Sequence, residues 1–570
     1  MSAAEAGAPD SLGRSSALMA SSSMVSRVLG IVRNALLGAC IGGMTGASSA
    51  FQTANTLPNT IFFLLSAGVL TAVLIPQLTR ALERPDGGDE AVDALLTAAF
   101  VLMGAVTLVA TALAGPLIVL FGLQGSVRDL GIAFAYLCLP QIFFYGAYAV
   151  WSQVLNVHGR FGVTMWTPAL ANVVQILGMA IFLRMFVPQA PAEHWTPPMI
   201  WLLAGASTLG IVVQAVALLP ALRAVGYRWR PNWRLRGHGF RSSGRVAGFV
   251  VTAVLLAQVG GAITQAALNT VSERERLAGS AVPGINVYFL AFQLFMVPHG
   301  IVTVSILTAL LPRMTRSAQR GDLAGLRADV GRGLTLPLLA MVPLTFAAIA
   351  LALPGASLLN PGLDAASQRA IALAFSLMAL GLVPYGVVAL QQRFATARED
   401  GRAFLGYQLI VTAVQLGVAG LILTLPGALG VPAVSLGQTV GNALAAALFL
   451  RLAARRLGGV PLRPLGRLAG RLCVASAPPA LAAWALAALL RQLLGPGLPT
   501  ELAALVGGGL LFVGAFLGMA HLTGLHEPGL LLGPRAARLL PYAPRHAADP
   551  AAPLPDADPP TGRRTPRRRA

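Results

Sequence analysis

The chain has 570 residues, of which 56% are hydrophobic and only 11% are charged, and its formal net charge is +20. This composition excludes a soluble globular protein, in which roughly 25% of residues are charged. All basic residues are Arg, and no segment resembles a nucleic-acid-binding module, so we assign the charge to loops on one side of a membrane and expect no nucleic-acid partner. Cys40, Cys138 and Cys473 are too far apart for a disulfide framework or a metal site, so we expect no metal or cofactor.

Long apolar segments predict an all-α polytopic membrane protein with about fourteen transmembrane helices, since a helix needs about 20 apolar residues to cross the hydrocarbon. The predicted spans lie near 17–42, 50–78, 92–121, 130–156, 163–187, 198–222, 246–272, 284–311, 333–359, 368–392, 403–425, 430–453, 470–494 and 500–524.

The distribution of Arg predicts the orientation. Arg-rich segments follow the sixth, eighth and twelfth spans, at residues 223–245, 313–332 and 451–471. With fourteen spans all of them fall on one side, which the positive-inside rule assigns to the cytoplasm. We therefore expect a multi-pass protein of the bacterial inner membrane with both termini in the cytoplasm.

Four short motifs in the second span recur in order in the eighth. The pairs are 50–52 with 291–293, 57–58 with 297–298, 70–72 with 307–309, and 76–80 with 312–316. They predict two pseudo-symmetric six-helix lobes, as in transporters whose lobes rock about a central site; the alternative is convergence of apolar low-complexity sequence. The predicted organisation is a cytoplasmic segment 1–14, a first lobe 15–224, a basic cytoplasmic loop 225–245, a second lobe 246–456, two further spans within 457–525, and a disordered Pro/Arg-rich tail 526–570. The tail either contacts anionic headgroups or is simply solvated.

Every Asp and Glu lies in a predicted loop, tail or helix edge. Carboxylates within a span normally mark proton or cation pathways, so their absence argues against a carboxylate-based antiporter. The loop at 42–50 also lacks the acidic residues expected of a membrane glycosyltransferase. We therefore predict a transporter and not an enzyme.

The first span carries Ser26, Arg27, Arg33 and Asn34. If the helix begins near residue 17, Arg27 lies about 15 Å along it. Either these arginines face a wet cavity, or the span begins later and they extend to the headgroups. In a cavity they would suit an anion such as a pyrophosphate, which Arg can bind through two hydrogen bonds.

Two other spans carry polar candidates. Gln258, Gly261, Gln265 and Asn269 share one face of the seventh span, where they either line a cavity or hydrogen-bond neighbouring helices. Pro298, His299 and Gly300 should break the eighth span. His299 is either functional or a structural residue bonded to carbonyls that the break leaves free.

With these segments the sequence resembles the MurJ (MviN) family of lipid II flippases, within the multidrug/oligosaccharidyl-lipid/polysaccharide exporter superfamily, over about residues 15–525. The motifs that carry the resemblance are SRVLGIVRN at 26–34, LPN at 57–59, LNVHGRF at 155–161, PALAN at 168–172, VPHG at 297–300, LLPRMTR at 310–316 and REDGR at 398–402. The resemblance implies structural or gating roles for Gly30, Pro58, Asn59, Asn156, Arg160, Pro168, Asn172, Pro298, Gly300, Arg398 and Asp400.

The resemblance also implies a function without bond chemistry: lipid II, whose pyrophosphoryl disaccharide-peptide head is made in the cytoplasm, moves to the outer leaflet by alternating access of the two lobes. Arg27 and Arg33 would be the family's cavity arginines. We expect the substrate-binding residues to be Ser26, Arg27, Arg33, Asn34, Gln258, Gln265, Gln293 and His299.

The chain departs from the family pattern at three places. Many members carry Arg on the second span where Phe62 and Phe63 stand, Arg on the eighth span at Gln293, and an acid near Ser49. Gln293 and His299 are our candidates for what replaces the missing cations. The alternatives are a flippase for another polyprenyl-linked glycan, a drug exporter of the same superfamily, or a non-transporting scaffold for cell-wall enzymes. Expected partners are lipid II, membrane lipids, and cell-wall synthesis or division proteins.

Overall fold

The structure, a computed structural model, describes residues 8–66, 89–227, 229–233, 244–459 and 462–525, all helices and connecting segments with no strand among them. Several predictions lie outside the described residues: the end of the second span, the repeat motifs at 70–72 and 76–80, most of the basic loop at 225–245, and the tail from 526.

The first lobe consists of helices that match the first six predicted spans. They are α1 (Ala8–Ile41), α2 (Gly46–Leu65), α3 (Asp89–Ala112), α4 (Ala114–Leu120), α5 (Gly125–Cys138), α6 (Gln141–Val157), α7 (Phe161–Met185), α8 (Pro197–Val216) and α9 (Leu219–Ala224). α1 is described from Ala8 onwards, ahead of the predicted start near residue 17.

The second lobe and the C-terminal helices follow. They are α10 (Gly244–Leu277), α11 (Ile285–Pro298), a π-helical turn (His299–Thr303), α12 (Val304–Gln319), α13 (Leu323–Ala350), α14 (Ala352–Leu359), α15 (Ala365–Ala379), α16 (Leu382–Ala397), α17 (Gly401–Ile422), α18 (Gly430–Arg456), α19 (Leu462–Leu494) and α20 (Leu498–Leu522). The predicted break at Pro298 is the π-helical turn.

Length and apolarity confirm an all-α polytopic membrane protein. Among the described residues twelve helices are long and apolar enough to cross a membrane, or up to thirteen if α15 and α16, which meet at 54°, form one broken span. α2, which opens the remaining predicted span, is described only as far as Leu65. Six predicted single spans are each divided into two helices. One division lies at Pro140 between α5 and α6, where Pro cannot continue the backbone hydrogen-bond ladder.

Each lobe has its own hydrophobic core. In the first lobe Phe134, Leu139 and Phe182 belong to one fully buried cluster. In the second lobe Phe295 and Met378 belong to another. α19 and α20 pack on each other and against α13 through a third cluster that includes Leu472 and Phe512. The two lobes can therefore move relative to each other without opening either core.

The lobes meet at one end of the molecule, which we call the outer end; it carries the loops at 42–45, 186–196, 278–284 and 360–364. Three contacts form what we call the outer seal. Nδ2 of Asn286 donates to the carbonyl of Gly42 (3.3 Å), and Nε2 of Gln189 donates to the carbonyl of Gly362 (3.1 Å). Nδ2 of Asn269 donates to Oγ1 of Thr53 and to the carbonyl of Phe121, both at 2.9 Å.

Candidate functional site

Arg33 of α1 is held by neutral amides. Its Nη1 donates to Oδ1 of Asn172 on α7 (3.3 Å), and its Nη2 donates to Oδ1 of the adjacent Asn34 (2.9 Å). Nδ2 of Asn172 donates in turn to the carbonyl of Ser26 (3.1 Å), so one asparagine fixes both the guanidinium and the α1 backbone. Arg33 has no carboxylate partner among the described residues, and its charge is therefore not neutralised by the protein there.

Arg27 lies one and a half turns earlier on α1 and points towards the second lobe. A Cβ atom built on Gly300 would lie 3.9 Å from Nη2 of Arg27. Within the described part of the chain Arg27 has neither a hydrogen-bond acceptor nor an ion-pair partner. Its guanidinium therefore lies beside the broken eighth span of the second lobe, and a cavity at this position stays a prediction.

The two lobes are joined at the same site. Nδ2 of Asn34 donates a hydrogen bond to Oε1 of Gln293 on α11. We call Ser26, Arg27, Arg33, Asn34, Asn172 and Gln293 together the arginine site. The structure thus brings Gln293, one of the predicted substrate-binding residues, into the hydrogen-bond network of Arg33.

The position of Asn172 depends on the proline one turn before it. Pro168 lies inside α7 and lacks the N–H that would bond the carbonyl of Thr164. The hydroxyl of Tyr148 donates to that carbonyl instead (2.8 Å), so the carbonyl of Thr164 is not left unpaired. α7 then packs along α1 and presents Asn172 to Arg33. Gly30 is less constrained: an added Cβ would make only ordinary contact with Asn172, at 3.9 Å.

His299 is buried in the second lobe and takes no part in the hydrogen-bond network of Arg33. Its ring packs edge-on against Tyr385, with 4.5 Å between the ring centroids. Its Nδ1 is buried without a hydrogen-bond partner among the described residues. The expectation that His299 bonds carbonyls freed by the break is therefore not met there, and its direct role towards a substrate stays a prediction.

The polar residues of the seventh span serve both predicted roles: some line a cavity, and one hydrogen-bonds neighbouring helices. Gln258, Gly261 and Gln265 line a cavity of about 180 Å³ between α2 of the first lobe and α10, α11, α17 and α18 of the second lobe. Asn269 on the same face instead joins α10 to α2 in the outer seal. One end of the stripe therefore faces a cavity, and the other bonds neighbouring helices.

The remaining motif residues lie at turns and helix ends. Arg160 is the N-terminal cap residue of α7, and Oδ1 of Asn156 accepts from Oγ1 of Thr164 (3.4 Å). Pro58 is buried inside α2, next to the exposed Asn59. These positions fit the structural roles that the resemblance implies.

The REDGR motif forms the turn between α16 and α17. Arg398 lies over the ring of Phe394, 5.5 Å from its centroid. Asp400 caps α17 and forms an ion pair with Arg456 at the end of α18 (2.7 Å). Burial acts to raise the pKa of Asp400, but hydrogen bonds from the Ala403 N–H and Arg456 outweigh it and hold the pKa below its usual value. The ion pair therefore fixes the turn between α16 and α17 to the end of α18.

An ion-pair cluster lies beside the outer seal. Arg276, near the end of α10, binds both carboxylate oxygens of Glu273 (2.6 and 2.9 Å), and its Nη1 lies 3.7 Å from Oε1 of Glu193 in the first lobe. The hydroxyl of Ser126 donates to that same oxygen (2.6 Å) and is the main reason why the pKa of Glu193 lies below its usual value.

Sequence reasoning missed several polar residues near the site. Nε2 of Gln141 donates to Oγ1 of Thr208 (2.9 Å), and Tyr145 packs against Phe62 with 5.7 Å between centroids. Gln52 and Thr56 of α2 face the 180 Å³ cavity. Their spacing of one helical turn was the signal that could have revealed them. The described residues include no group of three or more His, Cys, Asp or Glu that could hold a metal ion.

Two helical lobes closed at the outer end, with arginines between them in a membrane-spanning helix, define a transporter of the rocking-lobe class. The family model for lipid II flippase MurJ matches residues 39–504. The chain therefore belongs to the MurJ family.

Relatives and solved structures agree with this assignment. A probable lipid II flippase MurJ from Bdellovibrio bacteriovorus is 27% identical, over 54% of this chain and 56% of that protein. One from Synechocystis is 24% identical over 85% of this chain and 89% of that protein. The chain thus spans about half the length of the first relative and most of the second.

A solved lipid II flippase MurJ in an inward closed conformation superposes with a TM-score of 0.66 at 15% identity, covering 89% of this chain and 98% of that one. A multidrug resistance MATE family transporter of the MOP superfamily, in an inward-facing conformation, superposes with a TM-score of 0.58 at 17% identity, covering 77% of this chain and 98% of that one.

Proposed function

We propose that this protein moves lipid II from the cytoplasmic to the outer leaflet of the bacterial inner membrane by alternating access of its two lobes. The observation that carries the proposal is the pair Arg27 and Arg33, which lie between the lobes and have no carboxylate partner among the described residues.

A cation within a span costs several kcal/mol unless it meets water or an anion. Arg27 and Arg33 are six positions apart, about 9 Å along the helix. A pyrophosphate bridging or approaching them would supply the missing negative charge through charge-assisted hydrogen bonds. The polar head could not cross hydrocarbon unaided, because its groups would lose their hydrogen bonds to water.

The proposed orientation places the outer seal at the periplasmic face and both termini in the cytoplasm. Arg160, Arg320, Arg398 and Arg456 support it, since all lie in turns or at helix ends on the side opposite the outer seal. The substrate would enter from that end while its lipid tail stays in the bilayer. The step makes and breaks no covalent bond, so the protein would act as a transporter. Membrane lipids and cell-wall synthesis or division proteins are the further partners we propose.

The test measures which leaflet of the membrane holds newly made lipid II in cells depleted of this protein. An impermeant probe added outside reports heads that have reached the outer leaflet. We expect depletion to abolish accessibility, and wild type and Arg320→Ala, an exposed control arginine, to restore it. Arg27→Ala should fail to restore it. Full accessibility after depletion, in cells without a second flippase, would contradict the proposal.

A second candidate substrate is another polyprenyl-linked glycan. Gln293 and the Phe62–Phe63 pair favour it, because they replace cations that many family members carry. In that case the probe would report unchanged lipid II and a loss of the other glycan outside. A non-transporting scaffold would instead tolerate Arg27→Ala and fail when the tail from 526 is deleted.

A further inference from the structure

A second cavity, of about 290 Å³, lies between α13, α16 and α18 of the second lobe and the first turns of α19. Every described residue that lines it is Gly, Ala, Val, Leu, Met or Pro. The deep wall is buried and includes Gly333 and Met341 of α13 and Gly386 of α16. The rim belongs to α19, where Leu462 is 39% exposed and Gly466 is also exposed. The cavity therefore opens at the surface of the protein and suits an apolar group, since it offers no side-chain partner for a polar one.

Two arginines lie on the side of α19 next to this cavity. Residues spaced four or seven positions apart form one line along the helix, namely Arg463, Arg467, Val474 and Leu481. Val474 and Leu481 are 62% and 67% exposed within a membrane span, so this line faces the bilayer. Arg463 and Arg467 are exposed at the end of the line that lies opposite the outer end. Because Gly466 of the rim precedes Arg467 in the chain, the cavity mouth and the arginines lie side by side.

The protein does not neutralise these two charges. Residues 457–500 contain no Asp or Glu, and within the described part of the chain neither arginine has an ion-pair partner. Arg471, one turn later, is already occupied, since its Nη2 donates to backbone carbonyls that follow α20. The uncharged run from Leu472 to Leu490 has 19 residues, about 28 Å of helix and enough to cross the hydrocarbon. Arg463 and Arg467 precede this run and so lie at the level of the lipid headgroups.

We propose that an anionic glycerophospholipid of the cytoplasmic leaflet binds here, with one acyl chain in the 290 Å³ cavity and its phosphate at Arg463 and Arg467. Basic residues at the cytoplasmic ends of transmembrane helices bind such headgroups. Burial of chain methylenes against α13 and α16 adds hydrophobic free energy. A zwitterionic lipid would place its own cation beside the two arginines, so an anionic lipid fits better. The bound lipid joins α19 to the second lobe, and the inference does not depend on what the arginine site transports.

The first experiment tests the headgroup. Native mass spectrometry of the purified full-length protein gives Kd for phosphatidylglycerol and for phosphatidylcholine with the same acyl chains. Wild type should bind phosphatidylglycerol more tightly. Arg463→Gln and Arg467→Gln should each weaken binding of phosphatidylglycerol about fivefold, the effect of one arginine near a lipid head, and leave phosphatidylcholine unchanged. Arg320→Gln, which changes an exposed arginine after α12, is the control and should alter neither Kd.

The second experiment tests the acyl chain with the same two lipids. A Cβ added at Gly466 meets nothing within 4 Å, so Gly466→Leu can fill the cavity mouth without a clash and improves helix propensity. It should weaken binding of both lipids about tenfold and keep the preference for phosphatidylglycerol. Gly470→Leu, one turn later, is equally unobstructed but lies outside the cavity lining, so it should change neither Kd.

Three results would overturn the proposal. Equal affinity of wild type for the two lipids, or a preference that persists in the double variant of Arg463 and Arg467, would remove the headgroup site. Equal effects of Gly466→Leu and Gly470→Leu would remove the acyl chain from the cavity. Displacement of phosphatidylglycerol by a tighter-binding polyprenyl phosphate would assign the cavity to the tail of the transported lipid. The two arginine variants change only exposed side chains, so they test the site even if Gly466→Leu fails to fold.

Discussion

The side-chain amide of Asn34 in α1 donates a hydrogen bond to Oε1 of Gln293 in α11, 259 positions later in the chain. Oδ1 of the same Asn34 accepts from Arg33. A single asparagine therefore connects the cation of the first lobe to the second lobe. Because this hydrogen bond joins the lobes, substrate binding at Arg33 and the relative position of the lobes are expected to depend on each other.

A double-mutant cycle tests this connection. Asn34→Ala and Gln293→Ala should each lower the flipping rate, and the double variant should be little worse than either, because both remove the same hydrogen bond. The coupling free energy should be about 0.5–1.5 kcal/mol. Strict additivity of the two effects on the rate would show that the bond does not contribute to transport.

Asn172→Leu should reduce the affinity for a polyprenyl pyrophosphate by about tenfold or more, because Arg33 loses an acceptor and hydrogen bonds to charged groups contribute about 1.5–3 kcal/mol. The affinity can be measured with the purified protein. Gln175→Leu is the control: it removes a buried amide of the same helix that bonds Ser207 and not α1. If both variants bind alike, the role of Asn172 is only to stabilise α7.

Gly362→Ala should open the outer seal. A Cβ at this position would lie 2.5 Å from Cβ of Ala39 and 2.8 Å from its Cα, too close for the loop to keep its place against α1. Cys40, which is fully buried and whose carbonyl accepts from the Gln189 N–H, should become reactive to an impermeant maleimide added from outside. Gly355→Ala meets nothing within 4 Å and should leave Cys40 protected. Equal labelling of the two variants would contradict the predicted clash.

The ion pair between Glu193 and Arg276 should make the outer seal insensitive to pH over the physiological range. Because the pKa of Glu193 is lowered, its carboxylate is charged at every pH above the ordinary pKa of a glutamate. It loses its charge only as the pH falls through the lowered pKa. The ratio of Cys40 labelling in Glu193→Gln to that in wild type should therefore be constant from about pH 5.5 to 8. It should approach one in stronger acid. The difference should be small, since exposed ion pairs contribute about 0–1 kcal/mol. A ratio that changes near neutral pH would point to another titrating group.

The spans were predictable because apolar length alone determines which segments can cross a bilayer. The interruptions were harder to predict. Pro298 predicted one break, whereas the break at Leu380–Gly381 between α15 and α16 was missed, although Pro384 lacks the N–H that would bond the carbonyl of Leu380. Arg27 and Arg33 were found because charge within an apolar segment is conspicuous. Tyr288, Gln415 and Gln438 were not, because only tertiary contacts bring α11, α17 and α18 to one cavity.

The separate cores of the two lobes determine how substitutions can change the conformational equilibrium of this protein. Phe182 and Phe295 are buried in the separate cores of their own lobes, so we expect both to stay buried when the lobes move relative to each other. The equilibrium between open and closed states instead depends on a few amide hydrogen bonds and one close glycine contact. Single substitutions at that interface can therefore shift the conformational equilibrium, and with it the turnover rate, at little cost to thermal stability.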